Sequence, residues 1–277
     1  MLKFRDIFTR FAFAFALALP LWFLLASFGT RLGLFDWRFG FGTMTFRMGP
    51  LLLAFGLLAG LIALGLALWV RPRAPLARPI VALALPLIVA GVAASLLAPA
   101  MRVPPIHDVA TDTVNPPRFG QEIERLRAAT PGGNGVQPMD APLRTLASYA
   151  PMADSPRMAR WVQKSVGEIV REAYPDLQPL RLASPPDEAF AWARQAAEAE
   201  GWRIVRVEPA TWELDATDTL FWFGFKDDIA VRVRPDGQGG SIVDVRSASR
   251  VGMGDVGVNA KRIRSYLARF QAPQRKG

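Results

Sequence analysis

LLLAFGLLAGLIALGLALWV, Leu51–Val70, is twenty residues long and carries no acidic or basic side chain. At about 1.5 Å of rise per residue, such a run makes a helix about 30 Å long, the thickness of a bilayer's hydrocarbon core. Two further runs lie on either side of it, FAFAFALALPLWFLLASF (Phe11–Phe28) and IVALALPLIVAGVAASLLA (Ile80–Ala98), both equally free of charge. A buried helix in a soluble protein rarely stays uncharged for so long, and a surface helix keeps a polar face. Three uncharged runs in succession therefore predict a three-span α-helical membrane domain over residues 1–100. The 177 residues that follow hold no comparable run.

The charge is divided in the same way. The chain has net charge +9, with nine Lys/Arg against two acids in residues 1–100 and twenty-four against twenty-two afterwards. The basic excess flanks apolar spans, so it reads as a topology signal rather than a nucleic-acid surface. Lys3, Arg5, Arg10, Arg71, Arg73 and Arg78 fall on one side of the spans, and Arg31, Arg38, Arg47 and Arg102 on the other. Six against four predicts a cytoplasmic N-terminus and an extracytoplasmic C-terminal domain. The first span also has the basic start of a signal peptide. Its apolar stretch exceeds the ~7–15 residues of such leaders and Ala26-Ser27-Phe28 is a poor cleavage site, so a retained anchor is expected. No ionisable residue interrupts a span, which removes the usual mark of an ion or proton path. Leu34 to Phe41, rich in aromatics and arginine, is expected to lie at the membrane surface. The chain has no cysteine, so disulfide and thiolate chemistry are excluded.

Beyond Met101, Pro104-Pro105, Pro116-Pro117 and Pro131-Gly132-Gly133 predict an irregular linker over 101–154. An α+β domain is expected over 155–271, with a basic tail at 272–277. Ser155 with Pro156 predicts a helix start, and Met158, Trp161, Val162, Val166, Ile169, Val170 and Ala173 form its apolar stripe. Leu177–Leu182 reads as a strand, Pro185–Gly201 as a helix, and Trp202–Val207 and Thr211–Ala216 as strands. Alternation at Ile229–Arg234 and Ile242–Ser249 predicts a hairpin across Pro235–Gly240, and Val256–Phe270 an amphipathic helix with Asp255 at its start. The fold class is thus an α-helical membrane segment plus an antiparallel sheet of about five strands with helices on one face.

Phe225-Lys226-Asp227-Asp228, Val245–Gly252 and Asp255–Ile263, with Ile106–Thr113 and Asn115–Phe119 earlier, resemble the signature of domain-of-unknown-function family 1499. The resemblance covers about residues 104–271. It implies a bacterial or plastid setting and a shared fold, and no chemistry.

Candidate site residues come from the strand parity. Asp228, Arg232 and Arg234 share a face with Asp244, Arg246 and Arg250 if the two strands pair. One reading is a solvated face of cross-strand ion pairs. The other is a ligand site in which Arg246, Arg250, Asn259 and Arg262, with Asp227, Asp228, His107 and Asp112, hold a carboxylate or phosphate through guanidinium forks. No metal-ligand spacing occurs, His107 is the only imidazole, and no G-x-S-x-G is present, so no cofactor, metal or nucleophile is assigned and the catalytic residues stay unknown. Phe221–Phe225 reads as core or as an apolar rim. Two functions remain open. One is a bacterial inner-membrane envelope protein that binds an anionic lipid, glycan or protein partner without catalysis. The other is a hydrolase-like envelope enzyme working through Asp227, Asp228 and Arg246.

Overall fold

In hydrocarbon the backbone can hydrogen-bond only to itself, and the three uncharged runs meet that demand as helices. The computed structural model describes residues 1–98, 101–147, 149, 150, 153–156 and 158–270, so the tail at 272–277 lies outside it. Helices α1 (Leu2–Arg31), α2 (Gly49–Trp69) and α3 (Ala77–Leu97) match the predicted spans, the second and third ending one residue earlier than expected. A π-helical stretch, Arg38–Met48, runs directly into α2, and each of the three helical segments is long and apolar enough to cross a membrane. Much of the link expected as a surface loop is therefore helical from Arg38 onward. Two units result: residues 1–98 together with Phe221–Gly224, and residues 99–220 with 225–277.

The helical unit packs through small residues. Ala12, Ala16, Ala59, Ala63 and Ala82 form its buried seam, while Leu51, Leu58, Leu61, Ile88 and Leu96 face outward. Lipid is as apolar as leucine, so association rests on close backbone approach rather than on hydrophobic transfer. Gly60 marks a close approach between α2 and α3: a Cβ there would lie 2.7 Å from the Ala82 carbonyl oxygen and from Leu83 Cα.

The second unit is a six-stranded antiparallel sheet, in the order β1-β6-β5-β4-β3, with β2 pairing the other half of β6 along the β1 side. The strands are β1 (Asp108–Ala110), β2 (Leu180–Leu182), β3 (Arg203–Glu208), β4 (Glu213–Thr219), β5 (Lys226–Pro235) and β6 (Ser241–Ser249). Ile229, Val231, Val233, Val243 and Val245 share one face, and helices α5 (Val166–Ala173), α6 (Pro186–Ala199) and α7 (Val258–Arg269) complete the main core with Ile169, Ala193, Ile263 and Tyr266. A further helix, α4 (Gln121–Ala128), lies on the opposite face, where Phe119 and Ile123 pack on Ala230 and Ala248.

Two further expectations need correction. The helix predicted from Ser155 begins at Ser165, which accepts the Glu168 amide while the Glu168 carboxylate accepts the Ser165 amide, a reciprocal cap that Ser155 lacks. Residues 158–163 are turns, although Met158, Trp161 and Val162 still reach the core. Within 101–154, read as irregular, the chain supplies β1 and α4.

Because the Gly60 clash is with backbone, even one methyl must push the helices apart, at about 1–3 kcal/mol. Gly60→Ala should lower the unfolding temperature of the detergent-extracted chain. Gly65→Ala, where an added Cβ meets nothing within 4 Å, should leave it unchanged. Equal effects from the two would contradict the packing described.

Candidate functional site

Strand parity places the charged residues before any ligand is considered. On the face away from the main core, Asp228, Ala230 and Arg232 of β5 lie opposite Ala248, Arg246 and Asp244 of β6. Glu213, Asp215 and Thr217 of β4 carry the same parity. The resulting lattice of Asp and Arg is roofed by α4 and the proline-rich chain before it, and is not a solvated face. Arg250 grips Asp228 with a bidentate fork, its Nη2 lying 2.6 Å from Oδ1 and its Nε 2.9 Å from Oδ2. The second oxygen also accepts from Arg127 of α4 at 3.0 Å, and Thr217 donates to the first at 2.9 Å. Asp228 is wholly buried and takes charge-assisted hydrogen bonds from two guanidinium groups.

Arg246 repeats the arrangement. Its fork meets Asp108 of β1 at 3.0 and 2.7 Å, and Nη2 also donates to the Gln137 carbonyl at 2.7 Å. The guanidinium lies over the Phe119 ring, 5.2 Å from its centroid. Arg232 and Arg234 share Asp244, and Arg206 holds Asp215, whose pKa is raised by burial against the pull of that arginine. Asp112 closes the edge of the lattice. One oxygen accepts the amides of Val114 and Asn115, and the other approaches Arg232 at 3.5 Å.

The remaining candidates lie on the opposite face, at the end of the main core. Arg262 of α7 joins Asp218 at 2.8 Å and Asp227 at 2.6 Å, and donates to Ser247 and to Asn259 Oδ1. Asn259 uses its amide nitrogen on the His107 carbonyl and Ser249, and its oxygen also accepts from Ser247. The eight residues therefore divide across the sheet. Arg246, Arg250, Asp228 and Asp112 stand on one side, and Arg262, Asn259, Asp227 and His107 on the other.

His107 is fully buried and stacked on Tyr149, whose hydroxyl accepts the His107 backbone N–H at 3.1 Å and lies 2.6 Å from Nδ1. In the tautomer where the phenol donates to Nδ1, the ring proton is on Nε2. That nitrogen sits beside the Met253 carbonyl without a hydrogen bond of normal geometry. Burial depresses the His107 pKa to about 4. Nearby, Asp255 accepts the amides of Gly257 and Asn259 at 2.8 and 2.9 Å, and burial raises its pKa to about 6. Val256, between Asp255 and Gly257, is held at φ 51°, a conformation that a β-branched residue adopts only under constraint.

Sequence reasoning missed Arg127, Asp218 and Tyr149. Their partners are 101, 44 and 42 residues away, and no local pattern signals such pairs. Among the described residues no group of three or more His, Asp or Glu is arranged to hold a metal ion. Two open clefts are present, of about 490 Å³ beside α4 and Gly132–Val136, and of about 460 Å³ beside Asp176–Arg181 and α7. None of the eight candidates lines either cleft.

Comparison with known proteins adds family membership and no chemistry. A family described as a protein of unknown function, DUF1499, matches residues 108–270. No functionally curated protein matches the chain. Among solved structures, CalU16 from Micromonospora echinospora aligns at 16% identity with a TM-score of 0.26, covering 35% of this chain and 76% of that one.

Two predictions follow from the geometry. Asp228→Asn leaves two buried guanidiniums without their counter-charge and should cost about 3–5 kcal/mol in unfolding free energy. Asp176→Asn, at the exposed pair with Arg264, should cost within about 1 kcal/mol. A small loss at Asp228 would refute its bridging role. The second prediction concerns pH. The Asp255 pKa lies above its ordinary 3.8, so its contribution is full below about 3.8 and is lost as pH rises through about 6. The His107 pKa lies below its ordinary 6.5, so its contribution is full above about 6.5 and is lost as pH falls through about 4. Each displacement is worth about 3 kcal/mol, and the two oppose one another across this window. Asp255→Asn should therefore make urea stability fall more steeply on acidification than in the unaltered chain. Identical pH slopes would mean that folding does not raise the Asp255 pKa.

Proposed function

The chain belongs to the DUF1499 family, and from that premise we propose that it is a multi-pass protein of the bacterial inner membrane with a non-catalytic binding domain on the extracytoplasmic side. Its three apolar helices make it a membrane-anchored chain. The orientation rests on the six-to-four balance of flanking positive charges.

The observation that carries the non-catalytic reading is the saturation of the arginines. Arg246, Arg250 and Arg262 are 3%, 5% and 6% exposed, and each already holds a carboxylate. An anionic lipid, glycan or protein would have to displace Asp108, Asp228 or the Asp218–Asp227 pair to reach them. Recognition of an envelope partner falls instead to exposed side chains around the lattice, such as Arg181, Arg203 and Lys226. The same saturation weighs against hydrolysis through Asp227, Asp228 and Arg246, because a general acid or base needs an oxygen that substrate can reach.

Two experiments test the proposal. A periplasm-active reporter fused after Phe270 should give signal and a cytoplasm-only reporter none; the reverse pattern would overturn the orientation. Arg246→Lys keeps the charge and loses the planar fork. It should cost about 1.5–3 kcal/mol of stability, to the same extent with and without co-extracted lipid. If the variant keeps its stability and instead loses stabilisation by phosphatidylglycerol, Arg246 is an anion site and the lattice reading fails.

A further inference from the structure

Phe221 and Trp222 are 62% and 50% exposed, and beyond residue 98 they are the only exposed aromatic side chains among the described residues. They occupy the connection between β4 and β5. Phe223 and Gly224 both adopt positive φ, 61° and 67°, and the Leu220 amide donates to the Phe225 carbonyl at 2.8 Å. This closed turn fixes the backbone that carries Phe221 and Trp222.

Phe221–Gly224 belongs to the helical unit. The rings of Phe221 and Trp222 meet Phe28 edge-on, with centroids 5.8 and 5.9 Å away. Phe28 lies in the last turn of α1, which ends at Arg31. A span that ends there reaches the headgroup layer at that level, where an aromatic ring with an apolar body and a polar N–H is favoured.

We propose that the Phe221–Trp222 turn is a membrane-interfacial anchor, inserted at the headgroup–acyl boundary of the bilayer that the helices span. Its partner is lipid, and it is independent of whatever the arginine lattice does.

The chain contains no cysteine, which makes the test direct. Phe221→Cys, Trp222→Cys and, at the exposed β5–β6 turn, Gln238→Cys are each labelled with a nitrobenzoxadiazole fluorophore in the full chain. The labelled chains are reconstituted in phosphatidylcholine vesicles with a minor fraction of phosphatidylglycerol. Phosphatidylcholine spin-labelled near its headgroup should quench the labels at 221 and 222 several-fold more than iodide present on both sides of the vesicle. The label at 238 should show the reverse order. Iodide reaching 222 as freely as 238 would mean a solvated turn and overturn the proposal. Labels reached by neither quencher at any protein density would mean that the turn is enclosed by protein on every side, which also overturns it. Labels reached only after dilution in lipid would mean contact with a second copy, with the same result.

Discussion

A guanidinium taken out of water needs a carboxylate facing it and acceptors for most of its N–H groups. Asp228 supplies the carboxylate for Arg250 and Arg127 at once, and Asp108 for Arg246, while Arg127 Nε is left without an acceptor. The remainder of the second unit is arranged around these pairs. Strand parity puts the arginines of β5 and β6 on one face, and that face can be closed only by chain that brings acids and carbonyls to it. Residues 108–137 do so through β1, the Pro117 and Gln137 carbonyls and α4. Replacing such pairs with matched apolar residues is often neutral or favourable for stability. Their contribution here is geometric, since a fork accepts a carboxylate in few orientations and so fixes the register between distant segments.

The two faces of one sheet thus solve opposite problems. Ile229, Val231, Val243 and Val245 bury apolar surface against α5, α6 and α7, while their neighbours in sequence bury charge. At the end of the apolar face the two solutions meet. Asn259 and Arg262 satisfy Ser247, Asp218 and Asp227, and the strained Val256 turn brings the Asp255 carboxylate onto the first amides of α7. His107 and Asp255 are both displaced from their ordinary pKa values by the same cause, burial, and in opposite directions because one is a base and the other an acid.

The helical unit answers to another solvent. Its seam of alanines and Gly60 lets backbones approach, and its leucines face outward, an inversion of the usual soluble pattern that suits lipid.

The sequence by itself determined whatever depends on local periodicity. Three uncharged runs of span length, the alternation of β5 and β6, and the amphipathic stripe of α7 were legible because each is decided within one turn or one pleat. The parity that groups Asp228 with Arg246 and Arg250 was legible for the same reason. Tertiary structure alone decided whether those groups would meet solvent, ligand or one another. β1 and α4 were hidden because three and eight residues are too short to stand out between the prolines and glycines that flank them. Ser165 displaced Ser155 as the helix start because only Ser165 has Glu168 three residues on to complete the cap. Arg262 and Asn259 were expected beside Arg246, yet α7 packs on the apolar face and carries them to the other side of the sheet. Local pattern assigns a side chain to a face, and only packing determines what covers that face.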